Sequence, residues 1–217
     1  MKNKKDLMNQ RKLLHENMSR KKTFEASIKE FLEFRDELYD IYQYIFDNSS
    51  DKDYEVMPLS TDKTIAYYIY HLTRIEDITL HTLIMDEEQI FHSNHYQKKL
   101  GIGISTTGNE LNEHQIIDFS KQIDIKVLKV YVKEVYQRTN EVISQMSYKE
   151  IRTKVSEDRK NKLVDLGSVS KDESAFWLVD YWCKKDYLGL VKMPFTSHQF
   201  LHLWGCLRIL TKLSKSQ

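Results

Sequence analysis

The sequence has few of the residues that break or cross-link a chain: among 217 residues there are 2 prolines, 6 glycines and 2 cysteines. Scarce proline and glycine, together with abundant helix formers, fit long helices better than a turn-rich sheet protein. Cys183 and Cys206 lie far apart and outside any CxxC or zinc-finger spacing. These features predict an all-α protein without disulfides, located in the cytoplasm.

The sequence also lacks long apolar runs and any excess of charge. No uninterrupted apolar run approaches the length of a membrane span, and the basic residues 1–22 lack the apolar core of a secretory signal. The formal net charge is +1, because 33 Lys and Arg oppose 32 Asp and Glu. No strong overall field therefore favours a membrane or nucleic acid as a partner.

What the chain does contain is regular hydrophobic periodicity. Hydrophobic residues make up 41% of the sequence, enough for the core of one globular domain. Apolar residues recur every three to four positions over about 23–46, 62–85 and 123–146, which predicts three long amphipathic helices. With a fourth near the C-terminus and a long loop with short turns over 86–122, we expect a four-helix bundle with additional short helices.

Capping signals predict where several helices begin. Ser60 or Thr61 is available to cap the second long helix. The segments SYKE (147–150), SKDE (170–173) and TSHQ (196–199) each fit the capping box, in which two side chains satisfy free N–H groups at a helix start. We expect a helical, basic extension over 1–22 and the bundle domain over 23–217.

The stretch MPFTSHQFLHLWG near the C-terminus places His198 and His202 four residues apart. Both imidazoles then project from one helix face, and Gly205, one turn further, leaves room beside them. An i, i+4 histidine pair can bind one metal ion, and His71 is the inward-facing histidine of the second long helix and the expected third ligand. The alternative is that these are ordinary buried or exposed histidines. The residues between the pair exclude the HExxH motif of zinc peptidases.

The order of these stretches resembles a known family. YYIYHLTRIEDITLHTLI, a long connection, a third helix and a late TSHQFLHLWGCLRI are similar to the DinB-like family of bacterial metal-binding four-helix bundles, over about residues 23–212. The resemblance implies up-down-down-up topology and a divalent ion held by His71, His198 and His202. Zinc or nickel is the first expectation, with iron or manganese as alternatives. Members of the family are often homodimers.

The resemblance also implies a class of chemistry. Characterised members include S-transferases and isomerases that use low-molecular-weight thiols such as mycothiol or bacillithiol. We therefore expect a small-molecule substrate and a metal-dependent enzyme that activates a thiol, with activation of water for hydrolysis as the runner-up. The alternatives are a non-catalytic, metal-stabilised bundle that binds a partner, or a vestigial metal site.

Four further residues are candidates to line the site or support its ligands: Tyr68, Glu76, Gly205 and Cys206. Glu76 is expected either to accept a hydrogen bond from a ligand histidine or to be a surface charge. Cys206 is either a catalytic thiol or a small buried hydrophobe.

The 86–122 segment carries two further pairs of interest. The loop containing HYQKKLGIGISTTGNE is expected to cover the open face of the site. Its Lys98 and Lys99 would either bind a carboxylate-bearing cosubstrate there or be solvated, and solvation is the preferred interpretation. His92 and His95 form an HxxH pair that suggests a second metal site, but solvent exposure is the preferred interpretation.

Overall fold

The computed structural model describes residues 2–59 and 63–215, and within them the chain is helical. An isolated antiparallel bridge between Lys154 and Asp186 is the one β pairing in these ranges. The all-α class is thus confirmed. No helix in the described ranges has the length and hydrophobicity needed to cross a bilayer.

The α-helices, in chain order, are α1 (Lys4–Met18), α2 (Phe24–Asn48), α3 (Ile65–Asp77), α4 (Ile90–Ser93), α5 (Tyr96–Leu100), α6 (Glu113–Gln122), α7 (Ile125–Ser144), α8 (Tyr148–Ile151), α9 (Glu157–Asp165), α10 (Glu173–Cys183), α11 (Tyr187–Lys192) and α12 (Gln199–Leu213).

The long helices lie where hydrophobic periodicity predicts them. Helices α2 and α7 fall within about two residues of the expected 23–46 and 123–146. Helix α3 begins at Ile65, and the Thr64 side chain caps it by accepting a hydrogen bond from the Tyr67 N–H at 3.1 Å. The expected capping residues Ser60 and Thr61 lie outside the described residues.

Two π-helical segments extend long helices without a break. Ile78–Met85 continues α3, and Met193–His198 joins α11 to α12. Pro194 cannot donate the backbone bond that an uninterrupted α-helix needs, and the backbone widens to the π pattern at this point. The predicted capping box at 196–199 is therefore wrong, because Thr196 lies inside a helix and its hydroxyl donates to the Lys192 carbonyl at 2.8 Å.

The other two capping boxes had different outcomes. The box at 147–150 is confirmed, with both of its hydrogen bonds present at the start of α8. The box at 170–173 is wrong: Asp172 caps α10 by accepting from the Ser174 N–H at 2.9 Å. Aspartate is as strong a helix cap as serine and stands two residues nearer to the apolar run.

The four long helices surround a common core. Helices α2 and α3 each pack against both α7 and α12. Helix α1 packs along α2 and contributes Leu7, Leu14 and Met18, all fully buried, to the same hydrophobic cluster. The segment 86–122, expected as a loop, contains α4 to α6, whose buried residues include Phe91, and α5 packs on α7.

A buried ion pair connects these helices. Arg35 on α2 donates two hydrogen bonds to the Glu76 carboxylate on α3, at 2.8 and 2.6 Å, and each side chain is 3% exposed. Arg35 also donates to the Phe195 carbonyl at 3.1 Å. The Gln199 amide donates to Glu76 at 2.7 Å and accepts from the Tyr42 hydroxyl at 2.6 Å. The pair therefore fixes the π-helical segment against two long helices.

Replacing Arg35→Met leaves the Glu76 charge buried without its cation, so we expect the free energy of unfolding to fall by about 3–5 kcal/mol. The double variant Arg35→Met, Glu76→Met should recover much of this loss, because no unpaired charge remains. Urea denaturation followed by circular dichroism measures both. Lys29→Met, which breaks an exposed i, i+4 pair with Glu33, is the control and should change little. A loss in Arg35→Met no larger than in this control would contradict the prediction.

Candidate metal centre

Three histidines from two parts of the chain meet in the bundle. His71 lies in the middle of α3, His198 ends the π-helical segment and His202 lies in the first turns of α12. One ligand nitrogen of each lies within 4.8 Å of the other two. Nε2 of His71 and Nε2 of His198 are 3.2 Å apart. The structure thus brings together the trio expected from the sequence, and it is the one such group of three found among the described residues.

The orientation of His71 is set by a backbone carbonyl. Its Nδ1 lies 2.8 Å from the Thr107 carbonyl oxygen, which can only accept, so Nδ1 carries the proton and Nε2 carries a free lone pair. The Tyr67 ring stacks almost parallel on the imidazole, with 5.5 Å between ring centroids. His71 therefore presents an unprotonated Nε2 to the other two histidines.

One pair of the ligand nitrogens has the spacing found around a tetrahedral metal ion. Tetrahedral ligand nitrogens about 2.0–2.1 Å from zinc lie about 3.3 Å from one another, close to the 3.2 Å between His71 and His198. Two lone pairs at that separation repel unless a proton or a cation lies between them. A proton on His198 Nε2 would remove the repulsion between His71 and His198 only. One cation can instead accept lone pairs from all three rings.

Burial keeps these imidazoles neutral, as metal ligands must be. Burial lowers the pKa of His71 to about 4, against the opposing Thr107 hydrogen bond and with a smaller lowering by the Lys63 charge. Burial, then the nearby His71, lowers the pKa of His202 to about 3. The pKa of His198 is also far below its usual value, first through burial and then through its two histidine neighbours. All three are uncharged at neutral pH.

A cavity of about 530 Å³ opens onto the three histidines. Five aromatic side chains contribute to its wall: Tyr67, Tyr68, Trp177, Tyr181 and Trp182. Lys63 and Asn109 add polar groups, and no described aspartate or glutamate lines it. The histidines are thus accessible to a small molecule through a largely apolar pocket.

Tyr68 and Gly205 lie beside the histidines. The Tyr68 ring centroid is 4.9 Å from that of His202. A Cβ added to Gly205 would lie 3.4 Å from the Tyr68 ring, so the glycine provides the space that this ring occupies. Tyr68 also lines the cavity.

Glu76 takes neither of the two roles expected for it, because it is buried rather than a surface charge and does not accept a hydrogen bond from a ligand histidine. The Glu76 carboxylate bonds Arg35 and Gln199, and the acceptor for His71 is the Thr107 carbonyl instead. Cys206 is fully buried among apolar neighbours and does not line the cavity, and burial raises the pKa of its thiol. These observations favour the interpretation of Cys206 as a small buried hydrophobe over that of a catalytic thiol.

The lysines and histidines of the 86–122 segment lie away from the trio. Lys98 lines a separate cavity with His92 and His95, and Lys99 lies over the Tyr96 ring. Both lysines are exposed, as in the solvated interpretation, because α5 packs on α7. Thr107 and Asn109 of the same loop do lie at the trio and its cavity. Among the residues that the structure describes, the one basic side chain lining the cavity at the trio is Lys63, which sequence reasoning did not single out.

The described residues define an all-helical protein with a three-histidine cluster that could hold a metal ion. No protein-family model matches the chain, and no curated protein matches it.

The lowered histidine pKa values predict an acid-sensitive fold. In the unfolded chain these imidazoles take up protons near pH 6.5, whereas in the folded metal-free protein they do so only near pH 4 or below. Their contribution to stability is therefore present above pH 6.5 and is lost as the pH falls towards 4. Between pH 7 and pH 5 we expect a loss on the order of 1–2 kcal/mol for each of His71 and His202.

Urea denaturation of metal-free protein at both pH values measures this loss. The triple variant His71→Gln, His198→Gln, His202→Gln is the comparison, because all other titrating groups are unchanged in it. An equally steep pH dependence in that variant would count against the assignment.

Proposed function

We propose that this chain is a DinB-like metalloenzyme in which His71, His198 and His202 bind one divalent ion. Two features support the resemblance. The first ligand lies on the second long helix of the four-helix core and the other two at the start of the last. Helices α2, α3, α7 and α12 also pack together around one core, as in a four-helix bundle, and we propose the family's up-down-down-up order for them. The single observation that carries the proposal is the convergence of three neutral imidazole nitrogens within 4.8 Å at an accessible cavity.

The donor set favours particular ions and an open site. Three imidazoles suit zinc or nickel, with iron or manganese as alternatives. Structural zinc sites use four protein ligands and are closed, whereas catalytic sites use three and keep a position for substrate. Three histidines facing a cavity match the catalytic pattern.

The reaction we propose is activation of a low-molecular-weight thiol for S-transfer or isomerisation. A divalent ion bound here supplies Lewis acidity, which lowers the pKa of a thiol in an open coordination position. The Thr107 carbonyl keeps His71 in the tautomer that can coordinate. The aromatic wall would limit the access of water to a thiol held beside the histidines. In S-transfer the thiol would lose its proton to solvent, and its sulfur would form a bond to an electrophilic carbon while the leaving group departs with its electron pair. Hydrolysis by an activated water is the runner-up.

Elemental analysis of protein purified without chelator and without a His-tag tests the metal site. We expect about one equivalent of a divalent metal per chain. His198→Ala should retain little of it, because two histidines seldom hold an ion alone. His95→Ala removes a histidine outside the trio and is the matched control. A wild-type protein that binds none of zinc, nickel, iron or manganese after incubation with each would exclude the site.

Turnover of a thiol with an electrophile tests the proposed reaction. Metal-loaded protein is mixed with bacillithiol, mycothiol or glutathione and a chromogenic aryl chloride, from which the thiolate displaces chloride. We expect catalysis with at least one thiol, and in His202→Ala a fall to the uncatalysed rate with the helical circular dichroism unchanged. His95→Ala should keep the wild-type rate. Undiminished turnover in His202→Ala would refute a role for the trio in the reaction.

A further inference from the structure

The cavity above the histidines presents an exposed aromatic surface at its mouth. Trp177 is 51% exposed, yet its indole N–H donates to the Ser174 carbonyl at 2.9 Å, and its ring makes an edge contact with Tyr181. Leu201, 55% exposed, lines the same cavity. Large exposed apolar side chains around a concave pocket mark a ligand site. A flat surface held in one orientation suits a flat, apolar ligand.

The described lining of the cavity carries one basic side chain and no acidic one. Among these lining residues, Lys63 is the one lysine, arginine, aspartate or glutamate. Its ammonium lies 5.9 Å from the centre of the Tyr67 ring, and Tyr67 in turn stacks on His71. The positive charge is thus at the histidine end of the pocket. An anionic group on the ligand would be attracted there.

We propose that the cavity binds a small aromatic carboxylate, with its ring against Trp177 and its carboxylate at Lys63. The volume of about 530 Å³ suits a small organic molecule. Asn109 lines the same cavity and offers a side-chain amide as a second donor. As the class of molecule that would carry the electrophilic carbon and its leaving group, this ligand rests on the proposed function. Its binding at Lys63 requires no metal.

Calorimetry with two matched probes tests the assignment. The probes are 2-naphthoate and the neutral 2-naphthalenemethanol, titrated at low ionic strength into the full chain stripped of metal by a chelator. Stripping the metal removes any direct bond between metal and carboxylate. We expect 2-naphthoate to bind about tenfold more tightly than the alcohol, as a charge-assisted hydrogen bond provides. Lys63→Gln should bring the two affinities close together.

Two further variants separate the contributions of ring and charge. Trp177→Ala should weaken both probes by a similar factor, because it removes ring contact and leaves the charge in place. Lys98→Gln removes a lysine that lines a different cavity and should leave both affinities unchanged. Circular dichroism verifies that each variant is folded. Lys63 is half-buried beside the cavity, and Trp177 is largely exposed, so neither change empties the core.

The outcomes distinguish this proposal from the metal site. Equal affinity of the two probes, an unchanged ratio in Lys63→Gln, or no binding of either probe would overturn the carboxylate assignment. Metal content measured on untreated samples of the same preparations tests the other proposal. Bound metal without a preference for naphthoate rejects this inference alone. A preference for naphthoate without bound metal supports the anion site and rejects the proposed metalloenzyme.

Discussion

The buried ion pair between Arg35 and Glu76 is the interaction on which the rest of the structure depends. Removing two charges from water costs several kcal/mol for each ion unless nearly every donor and acceptor finds a partner. The partners come from all four long helices and the segment between α11 and α12. Arg35 Nε also donates to Asn140 on α7 at 3.0 Å, and Gln199 on α12 donates to Glu76. A change in the register of any one of these helices would leave a charged atom unsatisfied in the core.

This network also determines the geometry of the histidines. Glu76 lies five residues after His71 on the same helix, and Gln199 directly follows His198. The hydrogen bond between Glu76 and Gln199 therefore fixes α3 against the start of α12 near the point where the imidazoles meet. The hydrogen bond from His71 to the Thr107 carbonyl orients that ring, whereas His198 Nδ1 has no hydrogen-bond partner among the described residues, so the placement of His198 depends more on the helix that carries it. Holding three imidazoles close together before a ligand binds lowers the stability of the fold and favours binding of that ligand.

The sequence predicts the elements better than their junctions. Hydrophobic periodicity predicts the positions of α2 and α7, because a helix with one buried face has apolar residues every three to four positions. The i, i+4 spacing of His198 and His202, with an inward His71, is enough to predict the trio.

The pattern at 196–199 matches a capping box as well as that at 147–150 does, yet only the latter begins a helix. The two patterns differ in the residues before them, because the chain before Thr196 is already helical. A pattern of four residues contains no information about the residues that precede it. The loop that carries Thr107 was expected at the open face, but its carbonyl contact with His71 and the position of Lys63 were not predicted, because both reach the site from segments outside the helices.

The number of residues in the π-helical segment before α12 determines how α12 is rotated about its own axis. A π turn accommodates about one residue more than an α turn, so it acts as a one-residue insertion, and each residue of an α-helix turns the chain by about 100°. Shortening 193–198 by one residue into plain α-helix would rotate α12 by roughly that angle relative to α11. Gln199 and His202 would then face new neighbours together, although no residue of α12 itself had changed. The extra residue of the π turn therefore determines which side chains of α12 face the core and which face the cavity.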